Sequence, residues 1–145
     1  MIILDANILL YAYDSKLPEQ RRVAAWLQSL LVGGETIGLP WVAIWAFLRI
    51  STNPKIWAYP KTVSEAFSII CKWLDQPGVI ALSPGPRHIV VLEKVVTAAG
   101  ISGPNLTDAV FAALAVEYGA TLASTDQGFR RFPDLKWVNP LASKS

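Results

Sequence analysis

The chain has 145 residues, of which 52% are hydrophobic and 17% charged, and its formal net charge is +2. Its length predicts one domain over residues 1–145, and its charged share, below the usual figure of about 25%, predicts a large core or an apolar face covered by a partner. One cysteine excludes an internal disulfide and a cysteine zinc site, and one histidine excludes a multi-histidine metal centre.

No segment has the pattern of a membrane span or a signal peptide. The longest uncharged apolar run, 39–48, contains Pro40 and is well short of the roughly 18 residues that a membrane helix needs. The N-terminus lacks a basic segment and carries Asp5 where a signal peptide would be apolar. We therefore expect a cytoplasmic protein without membrane association.

Short apolar stretches alternate with helical patterns along the chain. Each short stretch is apolar throughout, which is typical of strands in a parallel sheet covered on both faces. Helix ends are indicated by Gly33-Gly34, Asn53-Pro54 and Pro77-Gly78. In chain order, the predicted elements are strand 2–4, helix 6–13, helix 18–32, strand 36–39, helix 40–48, helix 63–74, strand 79–82, helix 86–99, a helix from 102 or 103 to 118, strand 121–124 and strand 136–138.

This alternation predicts an α/β fold, namely a three-layer α/β/α sandwich on a central, mainly parallel sheet of four to five short strands. On helix 63–74, the apolar residues at helical spacing predict the face that packs on the core, with Cys71 as an inert core thiol. Trp41 and Trp45, four residues apart on one helix, predict packing in the core or at a subunit interface. The apolar residues of helix 63–74 are Val63, Phe67, Ile70, Cys71 and Leu74.

Asp5 directly follows the first predicted strand. A buried strand end has little structural use for an unpaired carboxylate, whereas parallel sheets place ligand sites beyond the carboxyl ends of their strands. Asp126 follows strand 121–124 by two residues, and Asp108 lies near the start of the helix that leads into that strand. If the first and fourth strands are neighbours, the three carboxylates converge.

Three converging carboxylates repel one another unless a cation lies between them. Because the chain has one cysteine and one histidine, a hard, oxygen-seeking ion such as Mg²⁺ or Mn²⁺ fits best. Structural alternatives stay open for two of the carboxylates. Asp108 is favourable near a helix N-terminus without any metal, and Asp126 before Gln127-Gly128 suits a turn or a cap.

Four segments, in order along nearly the whole chain, carry a resemblance to a known family. The set resembles the PIN domain of VapC-type toxins. This resemblance implies a ribonuclease that uses Mg²⁺ or Mn²⁺ held by an acidic cluster, with a cognate VapB-like antitoxin as partner and a homodimeric assembly. The segments are Asp5-Ala6-Asn7 after an apolar strand, Phe47-Leu48-Arg49 on an early helix, Asn105-Leu106-Thr107-Asp108-Ala109 opening a late helix, and Ser124-Thr125-Asp126 followed by Phe129.

The resemblance also implies roles for individual residues. The catalytic metal ligands are expected to be Asp5, Asp108 and Asp126. Side chains next to them in sequence are candidates for orienting these carboxylates or a water, although helix capping and turn formation explain them equally well. These candidates are Asn7 and Thr125.

Basic residues near the acidic positions are candidates for contacts with RNA. Arg130 and Arg131 follow Asp126 closely, so they are the ones that we expect to bind phosphates. Their alternative role is solvated surface charge.

One position departs from the family pattern. The family commonly has a glutamate just before the Phe-Leu-Arg segment, and this chain has Ala46 there. Fewer carboxylates weaken metal binding and leave more coordination sites for water and phosphate. An alternative therefore stays open, in which a PIN-like fold binds RNA or a protein partner without cutting it.

Two other enzyme or signalling classes fit poorly. A haloacid dehalogenase-type phosphatase needs a second aspartate two residues after the first, and this chain has Asn7 there. A receiver domain needs paired acids after the first strand, a phosphoryl-accepting aspartate near mid-chain and a late lysine, and the sequence does not supply that set.

Overall fold

The computed structural model describes residues 1–142. Short strands alternate with helices. The 3₁₀ segment Gly103–Asn105 lies directly before the last α-helix, and the 3₁₀ segment Gln127–Arg131 follows the strand after that helix. The strands and α-helices, in chain order, are β1 (Ile2–Leu4), α1 (Ala6–Ala12), α2 (Gln20–Val32), β2 (Ile37–Pro40), α3 (Trp41–Ser51), α4 (Val63–Leu74), β3 (Val79–Leu82), α5 (His88–Ala99), α6 (Leu106–Glu117), β4 (Thr121–Ala123) and β5 (Trp137–Val138).

The five strands form one parallel sheet in the order β3-β2-β1-β4-β5. Ile2 of the central strand β1 aligns with Ile37 on one side and with Thr121 on the other. Because β1 and β4 are parallel neighbours, the residues that follow them emerge at the same edge of the sheet. This adjacency is the condition on which convergence of the predicted carboxylates depends.

The sheet is covered on both faces, and successive residues of β1 serve different cores. Leu4 belongs to the core shared with α1 to α4, whereas Ile3 belongs to the core that includes α6. Both side chains are fully buried, as the alternation of side chains along a strand requires. The predicted three-layer α/β/α sandwich on a parallel sheet is therefore confirmed.

Helix boundaries differ from the prediction mainly at prolines. Helices α2 and α5 begin two residues after Pro18 and Pro86 respectively, the prolines at which the sequence places their starts. Both prolines lie in the turns before the helices, where a fixed φ is equally favourable. Helix α3 continues to Ser51, three residues past the predicted end. The Asn53-Pro54 turn therefore ends the helix close to the turn itself and does not shorten it to residue 48.

The predicted buried face of α4 is wrong for Phe67, and the predicted core position of Cys71 is wrong too, whereas Ile70 is buried as predicted. The helix buries Ala66, Ile70 and Trp73, whereas Phe67 is 51% exposed and Cys71 is exposed. Burial of Trp73 gives a reason for this rotation, because its indole N–H donates to the Tyr13 hydroxyl at 2.6 Å while its ring contributes a large apolar area to the core. Several of the apolar side chains predicted to be buried instead form part of the surface.

Among residues 1–142, no helix is long and apolar enough to cross a membrane.

Candidate functional site

Asp5 lies at the carboxyl end of β1 and precedes the first residue of α1. Its backbone N–H donates to the carbonyl oxygen of Ala123 at 3.0 Å, which ties this residue to the end of β4. Burial of the carboxyl raises its pKa to about 6, and the negative charges of Asp108 and Asp126 act in the same direction. Hydrogen bonds from Ser124 and from the Ala6 backbone oppose the increase.

The Ser124 hydroxyl takes part in three hydrogen bonds around Asp5. Its side chain is fully buried, and its hydroxyl donates to Asp5 Oδ2 at 2.7 Å. The same oxygen accepts hydrogen bonds from Asn7 Nδ2 and from the Asp126 backbone N–H, each at 3.1 Å. One hydroxyl therefore connects the segment after β1 to the segment after β4.

Sequence reasoning assigns no role to Ser124, although the residue ends the predicted strand 121–124. The signal that could have found it is a small hydroxyl residue placed between a buried strand and Asp126. Asn7 does reach this network, whereas Thr125 contributes its backbone N–H, which donates to Asn7 Oδ1 at 3.3 Å. Within residues 1–142, the Thr125 hydroxyl takes no part in the network.

The other two carboxylates are held by donors of their own chain. Asp126 is the N-cap of the 3₁₀ segment Gln127–Arg131, and its Oδ1 accepts from the Gly128 N–H at 2.8 Å. Asp108 lies in the first turn of α6, and its Oδ2 accepts from Arg131 Nη2 at 2.6 Å. Burial and the negative charge of Asp126 raise the pKa of Asp108, although the charge and hydrogen bond of Arg131 oppose this increase.

The three carboxylates therefore interact electrostatically but do not form a ready-made ligand group. Within residues 1–142, no three His, Cys, Asp or Glu side chains are arranged to hold one ion. Two of the three carboxylates already have partners in this chain, since Asp108 accepts from Arg131 and Asp126 accepts from Gly128. The donor chemistry itself, which is carboxylate oxygen throughout, fits a hard divalent cation.

The two predicted RNA-binding arginines differ in their surroundings. Arg130 is exposed, and its guanidinium carbon lies 5.9 Å from the centre of the Trp137 ring. Arg131 is half-buried in its ion pair with Asp108, and its guanidinium carbon lies 5.3 Å from the Phe132 ring centre. Both arginines thus lie on aromatic surfaces that favour a cation, and Arg131 also contacts an acidic residue of the site.

Ala46 lies on α3 and packs against the core beneath α6. Its methyl group offers no ligand atom, so the fourth carboxylate that the family commonly has is missing from this position.

A model of the PIN domain matches residues 2–135 of the chain. The chain belongs to the PIN domain family. Ribonuclease VapC33 of Mycobacterium tuberculosis is 40% identical over 141 residues, which cover 97% of this chain and 99% of the relative. Ribonuclease VapC31 of the same species is 36% identical over 140 residues, which cover 97% of this chain and 99% of the relative. The resemblance to VapC proteins that the sequence motifs indicate is confirmed.

A solved structure has the same architecture as this PIN domain. The structure of VapBC2 from Rickettsia felis bound to a DNA fragment from their promoter superimposes with a TM-score of 0.71 at 19% identity. The match covers 96% of this chain and 98% of the other. At this level of identity, the similarity supports the fold described above.

Proposed function

We propose that this PIN domain is a metal-dependent endoribonuclease and the toxin component of a toxin–antitoxin pair. The observation that carries this proposal is the electrostatic interaction of Asp5, beyond β1, with Asp126, beyond β4, and with Asp108 in the first turn of α6. The negative charges of Asp108 and Asp126 both raise the pKa of Asp5, so a cation shared by the three would be favoured. This chemistry agrees with the names of the full-length relatives, which are ribonucleases.

In this proposal, Asp5, Asp108 and Asp126 hold Mg²⁺ or Mn²⁺, either directly or through water. A divalent ion held there would lower the pKa of a bound water and neutralise charge on the phosphate. Ser124 fixes the carboxylate of Asp5 by donating to Oδ2, and Asn7 holds Ser124 in turn. Such outer contacts orient metal ligands in proteins, and removing one typically costs about 10- to 100-fold in affinity or activity.

Binding without cleavage is the second candidate function. Ala46 removes one carboxylate, and Arg131 occupies an oxygen of Asp108. Incubation of RNA with the purified protein, with and without Mn²⁺, separates the two functions. Metal-dependent product formation supports the nuclease, whereas retention of intact RNA on the protein supports a binding module.

Binding of RNA is expected to weaken as salt increases, and the two predicted RNA-binding arginines are expected to set part of that dependence. Each phosphate of a single strand that a protein cation neutralises contributes about 0.7 to the slope of log K against log salt. With Mn²⁺ at saturation and an RNA that resists hydrolysis, replacing Arg130 and Arg131 together by alanine should therefore flatten the slope by about 1.4. Fluorescence anisotropy of a labelled RNA at several salt concentrations measures the slope. An unchanged slope would place the RNA-binding surface elsewhere.

We propose that an antitoxin helix binds in the groove between α1, α2 and α4. This groove has a volume of about 370 Å³ and includes Leu27, Leu31 and Trp73 together with polar side chains such as Gln28 and Gln76. An apolar groove with amide groups beside it is typical of sites that receive an amphipathic helix. The solved relative from Rickettsia felis is a VapBC complex, which is consistent with a protein partner.

Ala24 lines this groove, and its neighbour Ala25 is exposed on α2 outside it. Ala24→Glu is expected to weaken binding of the antitoxin by at least about ten-fold, because it places a charge against an apolar helix face. Ala25→Glu makes the same chemical change on the same helix and should leave binding within about two-fold of the wild type. Calorimetry with the purified cognate antitoxin measures both. Equal affinities for the two variants would exclude the groove as the binding site.

The homodimer is proposed to use the exposed aromatic surface of α3. Trp41 and Trp45 pack against each other with ring centroids 6.4 Å apart, and Trp45 is 64% exposed. Exposed tryptophans are enriched at interfaces because they combine a large apolar area with few rotatable bonds.

Trp45→Glu is expected to shift the dimer to a monomer at micromolar concentration, since burying the new charge against an apolar face is unfavourable. Light scattering coupled to size exclusion measures the change. Val32→Glu removes another exposed apolar side chain, 77% exposed at the end of α2, and should leave the dimer intact. A wild-type chain that is monomeric at tens of micromolar would contradict the proposed homodimer.

A cytoplasmic location stays a prediction.

A further inference from the structure

Arg131 pairs with one carboxylate of the acidic site and borders the same gap as a second. Its Nη2 donates to Asp108 Oδ2 at 2.6 Å. On the other side, the position that a Cβ atom would take at Gly128 lies 3.3 Å from Arg131 Nη1 and 3.1 Å from Asp126 Oδ1. The guanidinium and the Asp126 carboxylate therefore border the same narrow gap, in which a Cβ atom at position 128 would force both to move by a few tenths of an ångström.

The present position of Arg131 leaves one of its donors unsatisfied. The Nε–H is buried and finds no hydrogen-bond partner within residues 1–142. A buried donor without a partner reduces the stability of the arrangement that contains it. The ion pair is also only partly removed from solvent, since about a third of each side chain is exposed. Arg131 can therefore leave Asp108 at a modest cost.

A metal ion and the Arg131 guanidinium are both positive, and both need Asp108. If the ion binds where the proposed function puts it, its charge repels the guanidinium and weakens the ion pair. The reverse also holds, because Arg131 already neutralises part of the negative charge that attracts the ion. The two cations are competitors for one carboxylate.

We infer that Arg131 neutralises Asp108 in the metal-free protein, and that metal binding releases its guanidinium to bind an RNA phosphate. This inference rests on the proposed function. In the metal-free protein, the planar fork of Arg131 is occupied by a carboxylate. After release, the same fork is available for the oxygens of a phosphate, which it can bind through two parallel hydrogen bonds. Metal and RNA then favour each other's binding through one side chain.

The first test measures affinity for Mn²⁺ without RNA, using the full chain and electron paramagnetic resonance of free Mn²⁺. Arg131→Gln and Arg131→Met both remove the cation that competes for Asp108. Each variant should therefore bind Mn²⁺ at least about five-fold more tightly than the wild type. An effect of about five-fold is at the lower end of typical coupling between sites. Arg130→Gln removes a neighbouring charge that does not contact Asp108 and should stay within about two-fold. Thermal melting verifies that each variant is folded.

The second test measures binding of a short phosphorothioate RNA, which resists hydrolysis, with and without Mn²⁺. Arg131→Gln should weaken RNA binding by less than about two-fold without the metal and by at least about five-fold with Mn²⁺ at saturation, because the wild-type side chain is free only then. Equal weakening in both conditions would show that Arg131 is always available to phosphate and would overturn the inference.

The outcomes separate this inference from the proposed function. Equal affinity of the wild type and both Arg131 variants for Mn²⁺ overturns the competition and leaves the metal-dependent nuclease intact. If no variant binds Mn²⁺ at millimolar concentration, the metal site itself is wrong and the inference falls with it.

Discussion

Replacing Asp5 with asparagine is expected to abolish RNA cleavage and to leave the metal-free protein as stable as the wild type or more stable. Asparagine keeps the shape of the side chain and an oxygen that can accept from the Ser124 hydroxyl, whose distance to Asp5 Oδ2 is 2.7 Å. It removes the negative charge that a metal needs. A cleavage assay with Mn²⁺ and a thermal melt without metal measure the two effects.

The direction of the stability change follows from the pKa of Asp5. The pKa is about 6 in the folded chain, whereas the ordinary value is 3.8, so ionised Asp5 disfavours the folded state by about 3 kcal/mol. This penalty is absent below about pH 4, increases as the pH rises towards about 6, and is constant above that. Because asparagine must still be desolvated, we expect Asp5→Asn to recover about 1–2 kcal/mol at about pH 8, or about 3–6 °C in melting temperature. At about pH 4 the two proteins should melt at similar temperatures.

An aspartate that served the fold alone would behave in the opposite way. Its replacement would lower the melting temperature at neutral pH and leave RNA cleavage intact, and that result would remove Asp5 from the proposed site. Asp75→Asn is a matched control, since Asp75 is an exposed aspartate at the end of α4. It should leave RNA cleavage and the melting temperature at about pH 8 unchanged.

The positions of the carboxylates could be predicted because they depend on local signals. A three-residue apolar strand followed at once by an aspartate indicates where the strand ends, and the rule that parallel sheets expose sites at their carboxyl ends supplies the rest. The adjacency of β1 and β4 had to be assumed, because strand order depends on packing between distant segments. The structure has this adjacency.

The cap at Asp126 is local and expected from the sequence, but the partners of Asp5 and Asp108 could not be predicted, because they are far from these carboxylates in sequence. Arg131 lies 23 residues from Asp108, and Ser124 lies 119 residues from Asp5. From the sequence, the two roles considered for Arg131 are phosphate binding and solvated surface charge. In the folded chain, it pairs with an acidic residue of the site itself. Periodicity and spacing contain no information on such pairs.

The buried face of α4 could not be predicted fully from the sequence for a different reason. The helix has apolar residues in two directions, one that includes Val63 and Phe67 and another that includes Ala66, Ile70 and Trp73. When both directions are apolar, the hydrophobic pattern does not determine how the helix is rotated. The Tyr13 hydroxyl, which accepts from Trp73, belongs to a distant part of the chain and favours the second direction.

Ser124→Ala is expected to reduce both activity and stability, whereas Thr125→Ala should change neither by much. Removing the Ser124 hydroxyl leaves Asn7 Nδ2 and the Asp126 N–H without the acceptor that each now has at 3.1 Å. A half-buried hydrogen bond of this kind contributes about 0.5–1.5 kcal/mol, and removal of a group that orients a metal ligand typically costs about 10- to 100-fold in activity. Chemical denaturation and initial rates of RNA cleavage measure the two effects.

The Thr125 variant decides whether the effect belongs to the network or to the loop. Thr125 takes part through its backbone N–H, which alanine retains, so Thr125→Ala should stay within about 0.5 kcal/mol of the wild type and keep its activity. If both variants lose activity equally, the loop is sensitive to any change and Ser124 has no special position. If Ser124→Ala is less stable but cleaves RNA at the wild-type rate, its hydroxyl supports the fold and does not position Asp5. Loss of activity in Ser124→Ala at a temperature where it remains folded would assign the hydroxyl to the site, because the carboxylate of Asp5 then keeps its charge but lacks its fixed orientation.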